Sequence, residues 1–360
     1  MAYKILCALC TSAFIFSANA QYRVEVLDSA SFQLGEGVVL SKTSFRGLSV
    51  VNDQTIWVSG SRGTIARSVD GGKSFGYKQL KGYEKSDFRD IEAFDDKRAI
   101  IMSSGTPAYI LKTTNGGDTW KEVYKNMDTA YFLDAMDFWD EKRGMLVGDP
   151  IKGHFILLQT KDGGETWKEL DTILTPKAFD GEAVFAASGT SLRCWGRNEF
   201  GFVTGGVISR LWRSDFKCSY SKSDTLEMIQ GKQSQGTFSF YKMDKSWMFV
   251  GGDYMNDTQI TKANVYYAFK NVDNAHNWGE NIHGYKSAVE LINIGFYGHP
   301  HFIATGTSGT EIGKYLCGFL NCSYHWDKVS SESFHVVRKA KNGNAIFLAG
   351  PKGKIGRLVR

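Results

Sequence analysis

The chain has 360 residues, with 39 Gly, only 5 Pro and 14% aromatic residues, a composition typical of β-rich globular proteins. At 42% hydrophobic residues it can bury a sizeable core, which argues against a disordered chain. Lys and Arg number 43 against 38 Asp and Glu, and no basic run occurs, so the charge gives no reason to expect nucleic-acid binding. No segment after residue 20 is apolar for the roughly 18 residues that a membrane helix needs.

Residues 1–20 have the pattern of a secretory signal peptide. Lys4 precedes the apolar stretch Ile5–Phe16, and small residues at a cleavage site follow it. We therefore expect residues 21–360 to form one mature domain, exported to the periplasm or secreted. Cys10 leaves a bacterial lipoprotein open as an alternative, although a large residue precedes it.

One short apolar phrase, ending in a small residue and Gly, recurs along the chain. Its copies end at Gly60, Gly105, Gly148, Gly205, Gly251, Gly306 and Gly350, which are 45, 43, 57, 46, 55 and 44 residues apart. This spacing fits four-stranded antiparallel units, and apolar runs bounded by Gly are typical of strands buried on both faces.

A second phrase, S/T-x-D/N-x-G-x-x-W/F, follows the first three copies. In it the Asp or Asn accepts backbone N–H bonds within a tight turn, Gly adopts positive φ, and the aromatic residue packs under the hairpin. The key residues are Ser68, Asp70, Gly72 and Phe75; Thr113, Asn115, Gly117 and Trp120; Thr160, Asp162, Gly164 and Trp167; and, in an eroded copy, Asp273 and Trp278. The repeat near Arg213–Cys218 lacks the phrase.

These phrases resemble the Asp-box β-propellers, also called bacterial neuraminidase repeats, over nearly all of the mature chain. Within that group, the run from Phe45 to the first Asp-box is most similar to photosystem II assembly-factor-like propellers, which also occur as exported bacterial proteins under an "oxidoreductase" label. No dinucleotide-binding Gly-x-Gly-x-x-Gly motif supports that label here. The resemblance implies an all-β fold and a binding or scaffold function without a cofactor.

We predict a seven-bladed propeller of four-stranded antiparallel blades. The first, innermost strands are assigned to Phe45–Leu48, Phe88–Ile91, Phe132–Ala135, Asp180–Ala183, Phe238–Phe240, Tyr285–Ala288 and Phe334–Val337. The last repeat ends at Arg360 without a fourth strand. The alternating stretch Tyr22–Leu27 is expected to supply it and to close the ring, which would leave no open sheet edge.

Four cysteines remain after the predicted cleavage. Because oxidising compartments favour disulfides, we expect Cys194 to pair with Cys218 and Cys317 with Cys322, with four free thiols as the alternative. A zinc site is disfavoured because no C-x2-C pair occurs. Isolated carboxylates next to Gly are too sparse for calcium, so no metal is expected.

A propeller has a central channel lined by its innermost strands. The predicted topology places charged residues at the mouth of this channel, on the face opposite the Asp-box hairpins. Loops held by a rigid scaffold are common binding sites, and a partner or ligand would bind there. The candidates are Arg46, Arg62, Arg89, Asp134, Asp149, Asp253, Lys286 and His335. The alternative is that these charges only solvate the loops and pair with one another.

Three classes of function remain open. The first, which we favour, is a monomeric exported propeller that binds a protein or glycan of the cell envelope. The second is a sialidase-like or other glycoside hydrolase, for which Asp90, Asp134 and Glu182 are the candidate carboxylates, although a third arginine and a Tyr–Glu pair are missing. The third is a structural module of a surface assembly. No nucleophile elbow appears, so we expect a protein that is not an enzyme.

Overall fold

The computed structural model describes residues 22–27, 32–269, 275–277, 282–295, 299–317 and 322–360, with the side chains at 262, 269, 275–277, 315–317 and 322–324 outside this description. The described secondary structure consists of strands and three short 3-10 turns, Leu40–Lys42, Tyr254–Asn256 and Lys262–Asn264. Within these ranges, no helix has the length and apolar character to cross a membrane.

The strands follow one another in short connections along the whole described chain. They are β1 (Arg23–Val26), β2 (Phe32–Leu34), β3 (Phe45–Val50), β4 (Ile56–Gly60), β5 (Thr64–Ser68), β6 (Phe75–Gln79), β7 (Asp87–Ala93), β8 (Ala99–Ser104), β9 (Ala108–Thr113), β10 (Lys121–Asn126), β11 (Leu133–Phe138), β12 (Gly144–Ile151), β13 (His154–Thr160), β14 (Lys168–Glu169), β15 (Glu182–Ala183), β16 (Leu192–Trp195), β17 (Glu199–Val203), β18 (Gly205–Gly206), β19 (Arg210–Asp215), β20 (Ser221–Thr225), β21 (Lys232–Lys242), β22 (Ser246–Asp253), β23 (Val265–Phe269), β24 (Ala275–Asn277), β25 (Ala288–Ile294), β26 (Pro300–Gly306), β27 (Gly309–Cys317), β28 (Cys322–Ser330), β29 (Val336–Lys339), β30 (Ile346–Ala349) and β31 (Ile355–Val359).

Within the described ranges these strands form seven sheets. Their pairing orders are β3-β4-β5-β6-β2, β7-β8-β9-β10, β11-β12-β13-β14, β16-β17-β19-β20, β15-β18-β21-β22-β23-β24, β25-β26-β27-β28 and β29-β30-β31-β1. The pairs are antiparallel except β2 with β6, which is parallel. The prediction of an all-β fold is confirmed, and five of the seven sheets in the described ranges are four-stranded and antiparallel.

The recurring apolar phrases lie on strands inside their sheets, where both faces are covered. These strands are β4, β8, β12, β17, β22, β26 and β30, and we call them the second strands. In β4, for example, all five residues of Ile56–Gly60 are buried. Side chains from neighbouring sheets fill the space between them, and one core cluster joins Phe45 and Phe75 of the first sheet to Phe347 and Ile355 of the last. This two-sided burial explains why the phrases are continuously apolar rather than alternating.

Seven strands, one from each sheet, pack side by side, and we call them the first strands. β3 contacts β7, β7 contacts β11, and the series continues through β16, β21, β25 and β29, which in turn contacts β3. In the last sheet the N-terminal strand β1 pairs antiparallel with β31, with Arg23 opposite Val359.

The Asp-box residues make the contacts expected of a turn motif. Ser68 Oγ accepts the Gly72 amide at 2.9 Å, and the Asp70 carboxylate accepts both the amide and the hydroxyl of Ser74, at 3.0 and 2.6 Å. Gly72 has φ +83 and its Cα lies against the ring of Phe347, so a Cβ would clash. The copies at Thr113 and Thr160 repeat the same pattern.

The fourth hairpin keeps more of this motif than its sequence indicates. Asp215 accepts the amides of Lys217 and Ser219, at 3.1 and 2.8 Å, as well as the Ser219 hydroxyl. Asp70 makes the same bonds to the residue four positions later, so the turn keeps this part of the motif although its sequence lacks the phrase. The eroded copy at Asp273 and Trp278 lies outside the described residues.

The assignment of Asp180–Ala183 as a first strand is wrong. Glu182–Ala183 forms the two-residue strand β15, which pairs with β18 in the next sheet, and Leu192–Trp195 is the first strand instead. The reason is the long spacing of 57 residues between Gly148 and Gly205, which accommodates an extra segment before β16.

The predicted Cys194–Cys218 disulfide is also wrong, and both cysteines are free. Cys194 lies on the first strand β16, whereas Cys218 lies in the hairpin between β19 and β20, so two strands separate them. At about 4.8 Å per strand that separation exceeds the reach of a disulfide. The predicted Cys317–Cys322 pairing falls on side chains outside the described part of the structure, and it stays a prediction.

Candidate functional site

A β-bulge near the start of four first strands defines the site. The pairing of β3 with β4 passes from Phe45 directly to Gly47, which leaves Arg46 outside the ladder. The same shift leaves out Arg89, Asp134 and Phe238 in β7, β11 and β21. A bulged residue is unpaired and its side chain is re-aimed, and these four side chains line one cavity of about 480 Å³. We call it the bulge cavity.

Two arginines and a histidine form the basic part of the bulge cavity. Arg46 Nη1 donates to the Ala187 carbonyl at 3.3 Å, and Arg89 Nε donates to Asp87 at 2.8 Å. Burial, together with the neighbouring Arg89, lowers the pKa of Arg46. Burial, Arg46 and Arg89 lower the pKa of His335 to about 3, so the imidazole is neutral at physiological pH. The cavity therefore holds two close cations whose charge is only partly compensated.

Two carboxyl groups face these cations. Asp134 is fully buried, and neither of its oxygens has a partner in hydrogen-bonding geometry among the described residues. Burial and the adjacent Asp149 raise the pKa of Asp134 well above its usual value, outweighing Arg89 and the nearby amides of Ala186 and Asp149. Burial also raises the pKa of Asp149 to about 6, although Asp149 accepts the Val184 amide at 3.0 Å. The raised pKa favours the protonated form of Asp134, in which it can donate a hydrogen bond.

Aromatic side chains make the remaining wall of the bulge cavity. Phe185 and Phe238 stack face to face, with ring centroids 3.8 Å apart, and Tyr285 meets Phe238 edge-on at 4.7 Å. Phe132 and Tyr254 also line the cavity, and Tyr254 is 47% exposed at its rim. Sequence reasoning did not identify Phe132, Phe185, Phe238 or Tyr285 as site residues. Phe238 was detectable, because it occupies the position in its strand that Arg46 occupies in β3.

The segment from Ala183 to Ser191 crosses between the first strands and forms the floor of the bulge cavity. Ser188 Oγ donates to the Ser287 carbonyl at 2.7 Å, and Arg338 donates to the Gly189 carbonyl at 3.4 Å. Gly189 has φ +66 and abuts the Asp90 carboxylate, so no larger residue fits there without displacement. The run of small residues in this segment was the available sequence signal.

Five of the candidate binding residues, Arg46, Arg89, Asp134, Asp149 and His335, line the bulge cavity, and three others do not. Arg62 lies on the exposed β4–β5 turn and does not line the cavity. The Asp253 carboxylate holds its own turn by accepting the Met255 amide and the Gln235 side chain, both at 3.0 Å. Lys286 is fully buried, where it donates to the His283 carbonyl at 2.6 Å and lies 3.9 Å from Glu311.

Two of the three candidate carboxylates also lie away from the bulge cavity. Glu182 is buried against Arg210, whose Nε donates to it at 2.8 Å, and it accepts the Thr204 hydroxyl at 2.7 Å. Asp90 is buried behind Gly189 and accepts the amides of Ile91 and Met136, both at 2.8 Å. Their hydrogen bonds are those of structural groups. Within the described ranges, no cluster of three or more His, Cys, Asp or Glu side chains has the arrangement of a metal site.

Comparison with known proteins gives the fold a context. The sequence profile of the family described as "Photosynthesis system II assembly factor YCF48" matches residues 38–130. A sequence search of curated proteins found no match.

Among solved structures, "YCF48 bound to D1 peptide" is similar, at 14% identity and a TM-score of 0.59, over 94% of this chain and 97% of that one. "YCF48 from Cyanidioschyzon merolae" matches at 12% identity and 0.56, over 93% and 98%. The Pan2 WD40 domain of Neurospora crassa matches at 12% and 0.55, over 87% and 88%. At these identities the similarity shows the fold, a β-propeller similar to assembly-factor propellers.

Proposed function

We propose that this protein is an exported binding propeller, similar to an assembly factor, that recognises a segment of another protein in the bulge cavity. One observation carries the proposal. Arg46 and Arg89 line an open cavity of about 480 Å³ together with the buried Asp134, whose oxygens have no partner in hydrogen-bonding geometry among the described residues. Burying charged and polar groups without partners is costly, so an arrangement of this kind is expected where a ligand completes the bonds.

The proposed architecture is a ring of seven blades closed by the N-terminal strand. The contact of β29 with β3 and the pairing of β1 with β31 support it. Such a ring would hold the bulged residues rigidly, because each is fixed by a strand of a different sheet. A rigid site reduces the ordering cost of binding.

The chemistry of the bulge cavity favours a peptide that carries an acidic group. Arg46 and Arg89 can bind a carboxylate through charge-assisted hydrogen bonds, and Asp134 can donate to a backbone carbonyl while it is protonated. The stacked rings of Phe185 and Phe238 offer an apolar surface for the neighbouring side chain. The structure titled "YCF48 bound to D1 peptide" supports a protein partner by analogy of fold.

The test is affinity capture from the cell envelope with the tagged mature chain and two variants. We expect the wild type and Arg62→Gln to retain the same partner protein, and the double variant Arg46→Gln, Arg89→Gln to lose it. Arg62 is the matched control because it is a basic residue outside the cavity. Equal capture by the double variant, with unchanged folding by circular dichroism, would contradict the proposal.

A carboxylate glycoside hydrolase is the second candidate, and the pair Asp134 and Asp149 favours it. Both pKa values are raised, as expected of groups that exchange protons near neutral pH. A panel of fluorogenic glycosides, run on the same preparations, separates the two functions. Turnover that is lost in both Asp134→Asn and Asp149→Asn would establish the hydrolase, whereas no turnover together with cavity-dependent capture supports the binding propeller.

A further inference from the structure

A second cavity, of about 590 Å³, lies at the other end of the first strands. Each first strand contributes one or two residues to it. Among them, one from each strand, are Ser49, Glu92, Asp137, Arg193, Tyr241, Glu290 and Arg338. In five of the seven cases, the residue lies three positions after a residue that lines the bulge cavity. Glu92 follows Arg89 in this way, and Arg338 follows His335. We call this the second cavity.

The second cavity is separated from the bulge cavity by the segment that crosses between the first strands. The Ala187 carbonyl of that segment accepts from Arg46 on one side, and the Gly189 carbonyl accepts from Arg338 on the other. The two cavities therefore have no lining residue in common. A ligand of the second cavity is independent of the function proposed for the bulge cavity.

The acidic groups that line the second cavity have defined partners. Asp137 accepts the amides of Phe138 and Cys194, at 3.0 and 2.7 Å. Glu290 lies 3.6 Å from Arg193, and Glu92 is paired with Lys341. At the rim, the additional acidic residues are paired outside the cavity, Asp140 with Arg143 and Glu141 with Arg98. The interior thus presents three carboxylates and three cations.

Arg338 is the cation with the most unused hydrogen-bonding capacity. It is 9% exposed, and the 3.4 Å bond to Gly189 is the hydrogen bond that its side chain makes among the described residues. A guanidinium has five N–H donors in a planar fork. Burial alone would lower the pKa of Arg338, but the carboxylates of Asp90, Glu290, Asp137 and Glu92 raise it, so the group stays charged.

A cavity lined by equal numbers of acidic and basic side chains selects a particular ligand chemistry. A simple anion would be attracted by the three cations, Arg193, Arg338 and Lys341, but repelled by the three carboxylates, and a simple cation would meet the reverse. A molecule with both a carboxylate and an ammonium group meets a complementary partner at each end. Burial then strengthens both interactions relative to water.

We propose that the second cavity binds a small net-neutral zwitterion, a free amino acid or a short peptide, with its carboxylate on Arg338 and its ammonium on the carboxylates of Glu92 and Asp137. The ammonium donates to remaining lone pairs of carboxylates that already accept from Lys341 and from the amides of Phe138 and Cys194, and the carboxylate takes up donors of the Arg338 fork. The volume of about 590 Å³ accommodates either ligand, with water filling the rest.

The test is isothermal titration calorimetry of the mature chain with glycine, L-alanine and L-alanyl-L-alanine, and with acetate and ethylamine as half-ligands. We expect binding by a zwitterion and affinities for both half-ligands that are at least roughly tenfold weaker. The relative affinities of alanine and the dipeptide distinguish a free amino acid from a peptide.

The variants connect binding to the named residue. Arg338→Gln should weaken binding by roughly tenfold or more, and Arg338→Lys by less, because an ammonium retains the charge but not the fork. Arg46→Gln, in the other cavity, should leave it unchanged. If Arg338→Gln does not fold, Arg193→Gln serves as the second variant. No heat with any zwitterion up to about 10 mM, or unchanged binding in a folded Arg338→Gln, would overturn the proposal and leave a hydrated ion network.

Discussion

The bulge cavity and the second cavity are lined by largely the same strands, but they differ in how far neighbouring charges compensate their buried charged groups. In the bulge cavity the pKa of Arg46 is lowered by burial and by Arg89, and in the described part of the chain no group lies in hydrogen-bonding geometry to the Asp134 oxygens. In the second cavity surrounding carboxylates raise the pKa of Arg338. The contrast teaches that burial of a charge is not informative by itself. What matters is whether neighbouring charges compensate the buried charge. By this criterion we assign a macromolecular partner to the bulge cavity and a net-neutral ligand to the second cavity.

The largest expected effect concerns the segment that keeps the two cavities apart. Gly189→Ala should lower the free energy of unfolding by about 3 kcal/mol, because the backbone has φ +66 and the new Cβ would lie 2.2 Å from the Asp90 carboxylate. Gly82→Ala is the matched control, with φ +87 and no atom within 4 Å, and should cost only about 1 kcal/mol. Urea denaturation measures both. Equal costs would show that the segment does not pack as described.

The second prediction compares one arginine from each cavity. Arg338→Gln should destabilise the fold by about 2–3 kcal/mol, because it removes a buried cation that interacts with several neighbouring carboxylates. Arg46→Gln should change stability by less than about 0.5 kcal/mol or increase it, because it removes repulsion with Arg89. Thermal and urea unfolding of the two variants test the order. A larger loss for Arg46→Gln would invalidate the comparison of the cavities.

The third prediction is a pH dependence of the bulge cavity. The pKa of Asp149 is raised to about 6 in the folded state, so the folded protein binds more protons than the unfolded chain between its ordinary pKa and pH 6. This group therefore costs stability progressively as pH rises through that window. Asp149→Asn keeps an oxygen for the Val184 amide and removes the cost.

Relative to the wild type, Asp149→Asn should gain about 2 kcal/mol between pH 4 and pH 7. Asp180→Asn, at an exposed position in the preceding loop, is the control and should show no such gain. Urea denaturation at the two pH values measures the difference. If the gain in stability for Asp149→Asn does not depend on pH, the pKa of the Asp149 carboxyl is not raised in the folded protein.

The smallest expected effect concerns the aromatic wall. Phe185→Leu removes the stack on Phe238 but keeps an apolar side chain, so it should cost about 1 kcal/mol of stability. Its effect on partner capture should be larger than its effect on stability if the rings contact the ligand. Comparison of capture with the unfolding midpoint tests this. Unchanged capture would restrict the binding surface to the charged half of the cavity.

The regular parts of the fold could be predicted from local sequence. The apolar phrases and the Asp-box residues act within a few positions of one another, and they identified the second strands and the hairpins correctly. Arg46, Arg89 and His335 were found because each follows an aromatic residue near the start of a first strand.

Long-range features could not be predicted in the same way. Side chains three positions apart in a regular strand point to opposite faces of the sheet. Because Arg89 lies in a β-bulge, its side chain and that of Glu92 can both point to the side where the first strands meet and line the two cavities there. The segment around Gly189 is held by Ser287, Arg338 and Asp90, which are distant in sequence. The same dependence on distant contacts placed Lys286 and Glu182 in buried ion pairs rather than in the bulge cavity.

The most direct test of the binding function is site-specific photo-crosslinking in the native cell envelope. A photoreactive phenylalanine analogue replaces Tyr254, which is 47% exposed at the rim of the bulge cavity, or Tyr220, which is 45% exposed in the β19–β20 hairpin. We predict a crosslinked partner protein at position 254 that is absent at position 220 and disappears when Arg46 and Arg89 are both changed to Gln. Crosslinks of equal yield at the two positions, or crosslinks at 254 that persist in the double variant, would contradict binding in the bulge cavity.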